Sequence, residues 1–70
     1  MERTYIMPII RVEMFPGRTT DQKREMVKAL TDAFVATAGG TPASVHVVIT
    51  DIEKSNWGTG GELNSDRFPD

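Results

Sequence analysis

The feature that most restricts the fold is one sharply delimited amphipathic helix set between two apolar, β-branched runs. Pro16-Gly17 breaks the chain ahead of it. Thr19-Thr20-Asp21-Gln22 then has the spacing of a capping box, in which the Thr19 hydroxyl and the Gln22 side chain each accept from the other residue's backbone N–H. Met26, Val27, Leu30, Ala33, Phe34 and Ala38 fall on one stripe, while Lys23, Arg24, Lys28 and Asp32 take much of the opposite side. Gly39-Gly40 offers backbone that can turn left-handed, and Pro42 bars continuation.

From Pro8 to Phe15, Ile10, Val12 and Met14 alternate with Ile9, Arg11 and Glu13, the period of a strand with one face better buried. Val45 to Thr50 is β-branched except for His46, too short for a buried helix and suited to an inner strand. Strand, helix and strand within about forty residues predict an α+β fold, a single right-handed β-α-β unit with two parallel strands and one long helix. Trp57, Gly58, Gly60, Gly61 and Leu63 predict a C-terminal turn or short hairpin, and the polar residues Ser65 to Asp70 are expected to fray. The expected division is an N-terminal extension, 1–7, a folded domain, 8–64, and a polar tail, 65–70.

The burial arithmetic of this unit points beyond the single chain. At 70 residues and 7.8 kDa the chain should expose roughly 11,000 Å² unfolded and roughly 4,400 Å² folded. The apolar share of the difference favours folding by roughly 100 kcal/mol, and ordering the chain costs about the same. There is no cysteine to staple it, and one histidine without cysteines builds no structural zinc site. A two-stranded sheet covered on one side by a helix leaves its other face for a further copy, so a homo-oligomer is expected, with sites shared between chains. A net charge of -2 gives no field that would draw the chain to nucleic acid or anionic lipid. Arg3, Pro8, Arg11 and Glu13 interrupt the N-terminal stretch, which therefore holds neither a signal-peptide core nor a membrane span, and the cytoplasm is the expected location.

Few residues can carry chemistry. There is no cysteine nucleophile, no G-x-S-x-G and no H-E-x-x-H, which argues against hydrolase triads, and Gly58-Thr59-Gly60-Gly61 lacks the lysine and hydroxyl pair of a phosphate loop. Arg18 follows β1 in a loop, where a planar cation either grips a carboxylate in two places or stays solvated. His46 is open between a structural role and a ligand role, and Trp57 between a packing contact and a site wall.

Pro8-Ile9-Ile10-Arg11-Val12, the turn Pro16-Gly17-Arg18-Thr19 with Asp21-Gln22-Lys23, the run Val45-His46-Val47-Val48-Ile49, and Asn56-Trp57-Gly58-Thr59-Gly60-Gly61 together resemble the 4-oxalocrotonate tautomerase family. The resemblance runs from Pro8 to about Leu63. It implies β-α-β subunits assembled as hexamers, trimers of dimers, and a proton-shuttling isomerase that needs no metal or organic cofactor, in a setting of aromatic degradation. It also implies that Pro8, as an N-terminal secondary amine, is the general base acting on an enol or an unsaturated keto acid. A ring amine among apolar walls and cations has its protonated form disfavoured, which brings its pKa toward the operating pH. By the same resemblance Arg18 holds a substrate carboxylate and Trp57 forms an aromatic wall.

Two departures follow. The family's second arginine, in β2, is replaced by His46, a weaker and pH-dependent cation, so a monocarboxylate or a carbonyl hydrogen-bonded by His46 fits as well as a dicarboxylate. Seven residues precede Pro8, and while Met7 is attached the proline nitrogen is an amide without a basic lone pair. Met7-Pro8 is a favourable pair for initiation and methionine removal, which would expose it. The alternative is a non-catalytic oligomeric binding protein in which residues 1–7 block the pocket, with Tyr5 and Ile6 extending β1. A related enzyme reading is hydration or decarboxylation, for which Glu13, Asp51 and Glu53 qualify by residue type alone.

Overall fold

The computed structural model describes residues 7–69. It is an α+β unit in which strand β1 (Ile9–Met14), helix α1 (Thr20–Ala38) and strand β2 (His46–Asp51) follow one another as the hydrophobic pattern predicts. A hairpin of β3 (Gly58–Thr59) and β4 (Glu62–Leu63) and a short helix α2 (Asn64–Arg67) complete it. Single 3₁₀ turns, Pro42–Ser44 and Lys54–Asn56, flank β2. The expected strand extension through Tyr5 and Ile6 lies outside the described residues.

β1 and β2 are parallel, with Ile9 level with His46 and Met14 level with Asp51. Residues level with one another share a face. Ile10, Val12, Met14, Val47 and Ile49 are half-buried, whereas Ile9, Arg11, Glu13, His46, Val48 and Thr50 are exposed. Helix α1 lies on the first set: the Lys23 ammonium meets the Asp51 carboxylate at 2.7 Å from that side.

The helix begins where the capping box places it. Thr19 Oγ1 accepts from Gln22 N–H at 3.1 Å and Gln22 Oε1 accepts from Thr19 N–H at 2.8 Å, together satisfying two donors that a helix start leaves free. Gly39, at φ 88°, closes the helix with its N–H on Val35 O, a backbone angle that side-chain-bearing residues rarely adopt. Met26, Val27, Leu30 and Phe34 are half-buried as the stripe requires, joined by Thr31 and Val35, while Ala33 and Ala38 are exposed. Short alanines at the margin of the stripe do not reach the sheet.

The tail is more ordered than its polarity suggests. Asn64 N–H donates to Trp57 O and Phe68 N–H to Asn64 O, each at 2.8 Å. Asn64 is 3% exposed and is the one buried residue among those described. Among the described residues no hydrophobic side chain is buried to that degree. The chain exposes 5524 Å², against about 4,400 Å² for a compact protein of its mass. The surplus is larger than the area, about 800 Å², that one partner contributes to a standard protein interface. On the open sheet face Ile9 is 56% and Val48 43% exposed.

Candidate functional site

The candidate residues form two groups at opposite ends of the sheet. At one end β1 enters: Pro8 O accepts from His46 N–H at 2.9 Å, so these two residues are neighbours at the starts of the parallel strands. Pro8 is half-buried, and His46 stands on the exposed face beside Ile9. The Pro8 nitrogen is in peptide linkage with Met7, whose side chain is 65% exposed.

At the other end β1 leaves the sheet, the last rung being Ile52 N–H to Met14 O at 2.8 Å. Phe15 follows at once, and its ring meets Trp57 edge-on with centroids 4.6 Å apart and planes at 63°, an arrangement favoured by the ring quadrupoles. The Lys54 ammonium lies 5.8 Å from the centroid of Phe15 and donates to Phe68 O at 2.8 Å. Gly17 turns the loop at φ 127°, and exposed Arg18 follows it, directly before the Thr19 cap. Trp57 is held by its carbonyl bond to Asn64 and by the hairpin, whose tip residues Gly60 and Gly61 have φ 62° and 87°.

Seven residue steps separate Pro8 from Phe15, which is about 20 Å of extended chain. Within one chain, therefore, Pro8 and His46 come together, Arg18 and Trp57 lie at the far end, and no small molecule touches both groups. Phe15 and Lys54 are the residues that sequence reasoning missed at the Trp57 end. Phe15 carried one usable signal: it is an aromatic residue next to the strand-breaking Pro16-Gly17, where the alternation ends.

The outer face of α1 offers a shallow groove lined by Arg24, Glu25, Lys28, Ala29 and Asp32. Lys28 donates to Asp32 at 2.7 Å, and that hydrogen bond holds the Lys28 pKa above its ordinary value. Such i,i+4 pairs are typical of a solvated helix face. Among the described residues no group of histidine and carboxylate side chains could hold a metal ion, and no helix is long and apolar enough to cross a membrane.

Fold and site together define a small β-α-β unit whose candidate residues stand in two groups at opposite ends of the sheet. Residues 8–67 match the tautomerase enzyme family. A probable tautomerase of Streptococcus pneumoniae is 36% identical over 59 residues, which are 84% of this chain and 98% of that protein. Among solved structures, YwhB, a homologue of 4-oxalocrotonate tautomerase, superposes with a TM-score of 0.81 at 34% identity, covering 84% of this chain and 97% of its own. A heterohexamer 4-oxalocrotonate tautomerase from Chloroflexus aurantiacus gives 0.78 at 32% identity, over 86% and 97% of the two chains. The chain belongs to the tautomerase family, and with it to a class of isomerases.

Proposed function

We propose that this chain is the subunit of an oligomeric tautomerase acting on an enol or a β,γ-unsaturated keto acid, with Pro8 as general base once it is the N-terminal residue. The observation that carries the reading is that the family match opens at Pro8, the first residue whose nitrogen becomes a secondary amine when Met7 is removed. The neutral amine takes a proton from the substrate's enol oxygen or activated carbon, and the electron pair left behind moves toward the carbonyl oxygen. The protonated ring then returns the proton to the carbon at the far end of the conjugated system, giving the conjugated ketone. Its fixed ring holds the lone pair in one direction, which favours a short transfer path.

Arg18 grips the substrate carboxylate through two N–H groups and stabilises charge that builds during transfer. His46, adjacent to Pro8 in the same chain, donates to the carbonyl. Trp57, braced by Phe15, excludes water. Because Pro8 and Arg18 lie at opposite ends of β1, the working cleft takes Pro8 from one chain and Arg18 with Trp57 from another. The Met7–Pro8 amide favours one other reading, an oligomeric binding protein of the same fold, for any form that keeps residues 1–7.

The test compares protein starting at Pro8 with protein starting at Met1, with the N-terminus of each verified by intact mass. The first form should ketonise a phenylenolpyruvate-type enol and the second should not. Pro8→Ala in the first form should lower kcat by about 100-fold or more, the usual scale of a lost general base, with little change in KM, whereas Arg18→Ala should raise KM and lower kcat. Full activity of Pro8→Ala, or the same activity in both forms, overturns the assignment of the base.

A further inference from the structure

We propose that Lys54 is a clasp for Trp57, a positioning residue whose side chain closes a circuit of hydrogen bonds around that indole. Four bonds make up the circuit. Trp57 N–H donates to Lys54 O at 3.3 Å, Asn64 N–H to Trp57 O at 2.8 Å, Phe68 N–H to Asn64 O at 2.8 Å, and the Lys54 ammonium to Phe68 O at 2.8 Å. The first three join backbone to backbone, so they ask little of the side chains at those positions. The fourth requires a donor on a long stem at residue 54, and it ties the C-terminal segment back to the turn that precedes β3.

The elements that carry Trp57 need such a fastening. Helix α2 has four residues, too few to persist by its own hydrogen bonds in water. Strands β3 and β4 have two residues each, and a lone two-stranded hairpin is marginal even when longer. A charged donor on a carbonyl is among the stronger hydrogen bonds a protein can make, and half-burial of Lys54 reduces competition from water. The same ammonium lies 5.8 Å from the Phe15 centroid, within the range at which a ring face attracts a cation, and Phe15 meets Trp57 edge-on. One cation therefore braces Trp57 from two sides, through the circuit on the hairpin side and through Phe15 on the side of β1.

What the clasp does for chemistry rests on the functional reading above, in which Trp57 walls the cleft. Lys54 touches no substrate in this role. By fixing the hairpin it fixes the indole before substrate arrives, so its effect falls on binding, where a wall already in place spares the ordering that a loose one would require. Proton transfer at Pro8 is left as it was.

Emission of Trp57, the one tryptophan of the chain, tests the clasp in the full chain at fixed protein concentration and without substrate. Lys54→Met keeps the apolar stem and removes the donor, so emission should move to longer wavelength and acrylamide should quench it more. Lys54→Arg keeps a charge and donors and should hold the emission of the unmodified chain. Phe68→Ala should hold it too, because the circuit uses only backbone atoms of Phe68, whereas Phe68→Pro removes the N–H that bonds Asn64 O and should reproduce the shift. Joining Phe68→Pro to Lys54→Met should add nothing, since both open the same circuit. Unchanged emission in Lys54→Met or in Phe68→Pro, a further shift in the pair, or loss of the native emission in Lys54→Arg overturns the proposal. Where Lys54→Met fails to fold, Phe68→Pro against Phe68→Ala and Lys54→Arg decides. A second arm uses chains starting at Pro8, in which Lys54→Met should raise KM about fivefold and leave kcat within about twofold. In a Trp57→Leu background the same change should leave KM where it stands. A KM effect that persists there would place Lys54 on the substrate itself and overturn the positioning role. Absence of turnover in the unmodified Pro8-starting protein would instead count against the functional reading, while emission still decides the clasp.

Discussion

The contact between Phe15 and Trp57 ties the end of β1 to the C-terminal hairpin, and its worth can be isolated. The rings sit 4.6 Å apart at 63°, and both residues are half-buried. An aromatic pair in this geometry contributes about 0.5–1.5 kcal/mol beyond the area it buries. Phe15→Leu removes the ring and keeps most of the apolar bulk, Trp57→Leu does the same from the other side, and the double variant closes the cycle. For a small domain losing about 1 kcal/mol of stability per molar urea, the coupling should appear as a midpoint difference of about 0.5–1.5 M at fixed protein concentration. Trp57 is the chain's one tryptophan, so its emission in Phe15→Leu reports the same contact directly and should shift toward that of a more hydrated indole. A coupling below about 0.3 kcal/mol, within the usual error of additivity, together with unchanged emission would refute the claim that Phe15 positions Trp57.

Thr19→Ala should cost about 1 kcal/mol of stability in urea unfolding, because it leaves the Gln22 N–H without its side-chain acceptor. The same change should lower kcat/KM more for carboxylate-bearing substrates than for neutral enols, since Arg18 leads directly into that cap. With 5524 Å² exposed per chain, part of the native stability should come from association, so the thermal midpoint should rise with protein concentration. A midpoint that stays constant over a hundredfold dilution series would show that the open face needs no partner.

The parts of the fold legible in the sequence were those fixed by short-range chemistry. Thr19 and Gln22 are three residues apart, Gly39 and Pro42 punctuate one helix end, and the alternation from Ile10 to Met14 needs no distant contact to be read. The hairpin was likewise visible in the glycines after Trp57. What escaped depends on residues far apart in the chain. Phe15 and Trp57 touch across 42 positions, and no local pattern marks that pairing. The helix Asn64–Arg67 looked like a fraying polar end, because its order comes from the buried Asn64, whose backbone is fastened to Trp57. At the site, residue types and the resemblance singled out Pro8, Arg18, His46 and Trp57. That His46 stands beside Pro8, a whole strand from Arg18, follows only from the parallel pairing of β1 with β2.

The open face and the separation of the candidate residues have one cause. A β-α-β unit this short has a sheet of two strands, so it presents one uncovered face, two free edges, and strand ends about 20 Å apart. Proton transfer needs the base within about 3 Å of the proton it takes, with the anchoring cation on the same small molecule. Lengthening a loop could not satisfy that condition, because Arg18 is pinned between the end of β1 and the cap of α1. An antiparallel partner satisfies it at once, since reversing the strand direction brings one chain's exit beside the other's entry. On the proposed function the arrangement would also divide recognition between chains: the carbonyl partner, His46, would come with the base, and the carboxylate anchor, Arg18, from the neighbour. On that function, a histidine rather than an arginine beside Pro8 would offer the distal end of the substrate a hydrogen-bond donor instead of a fixed charge, so that a keto acid with one carboxylate fits as well as a dicarboxylate.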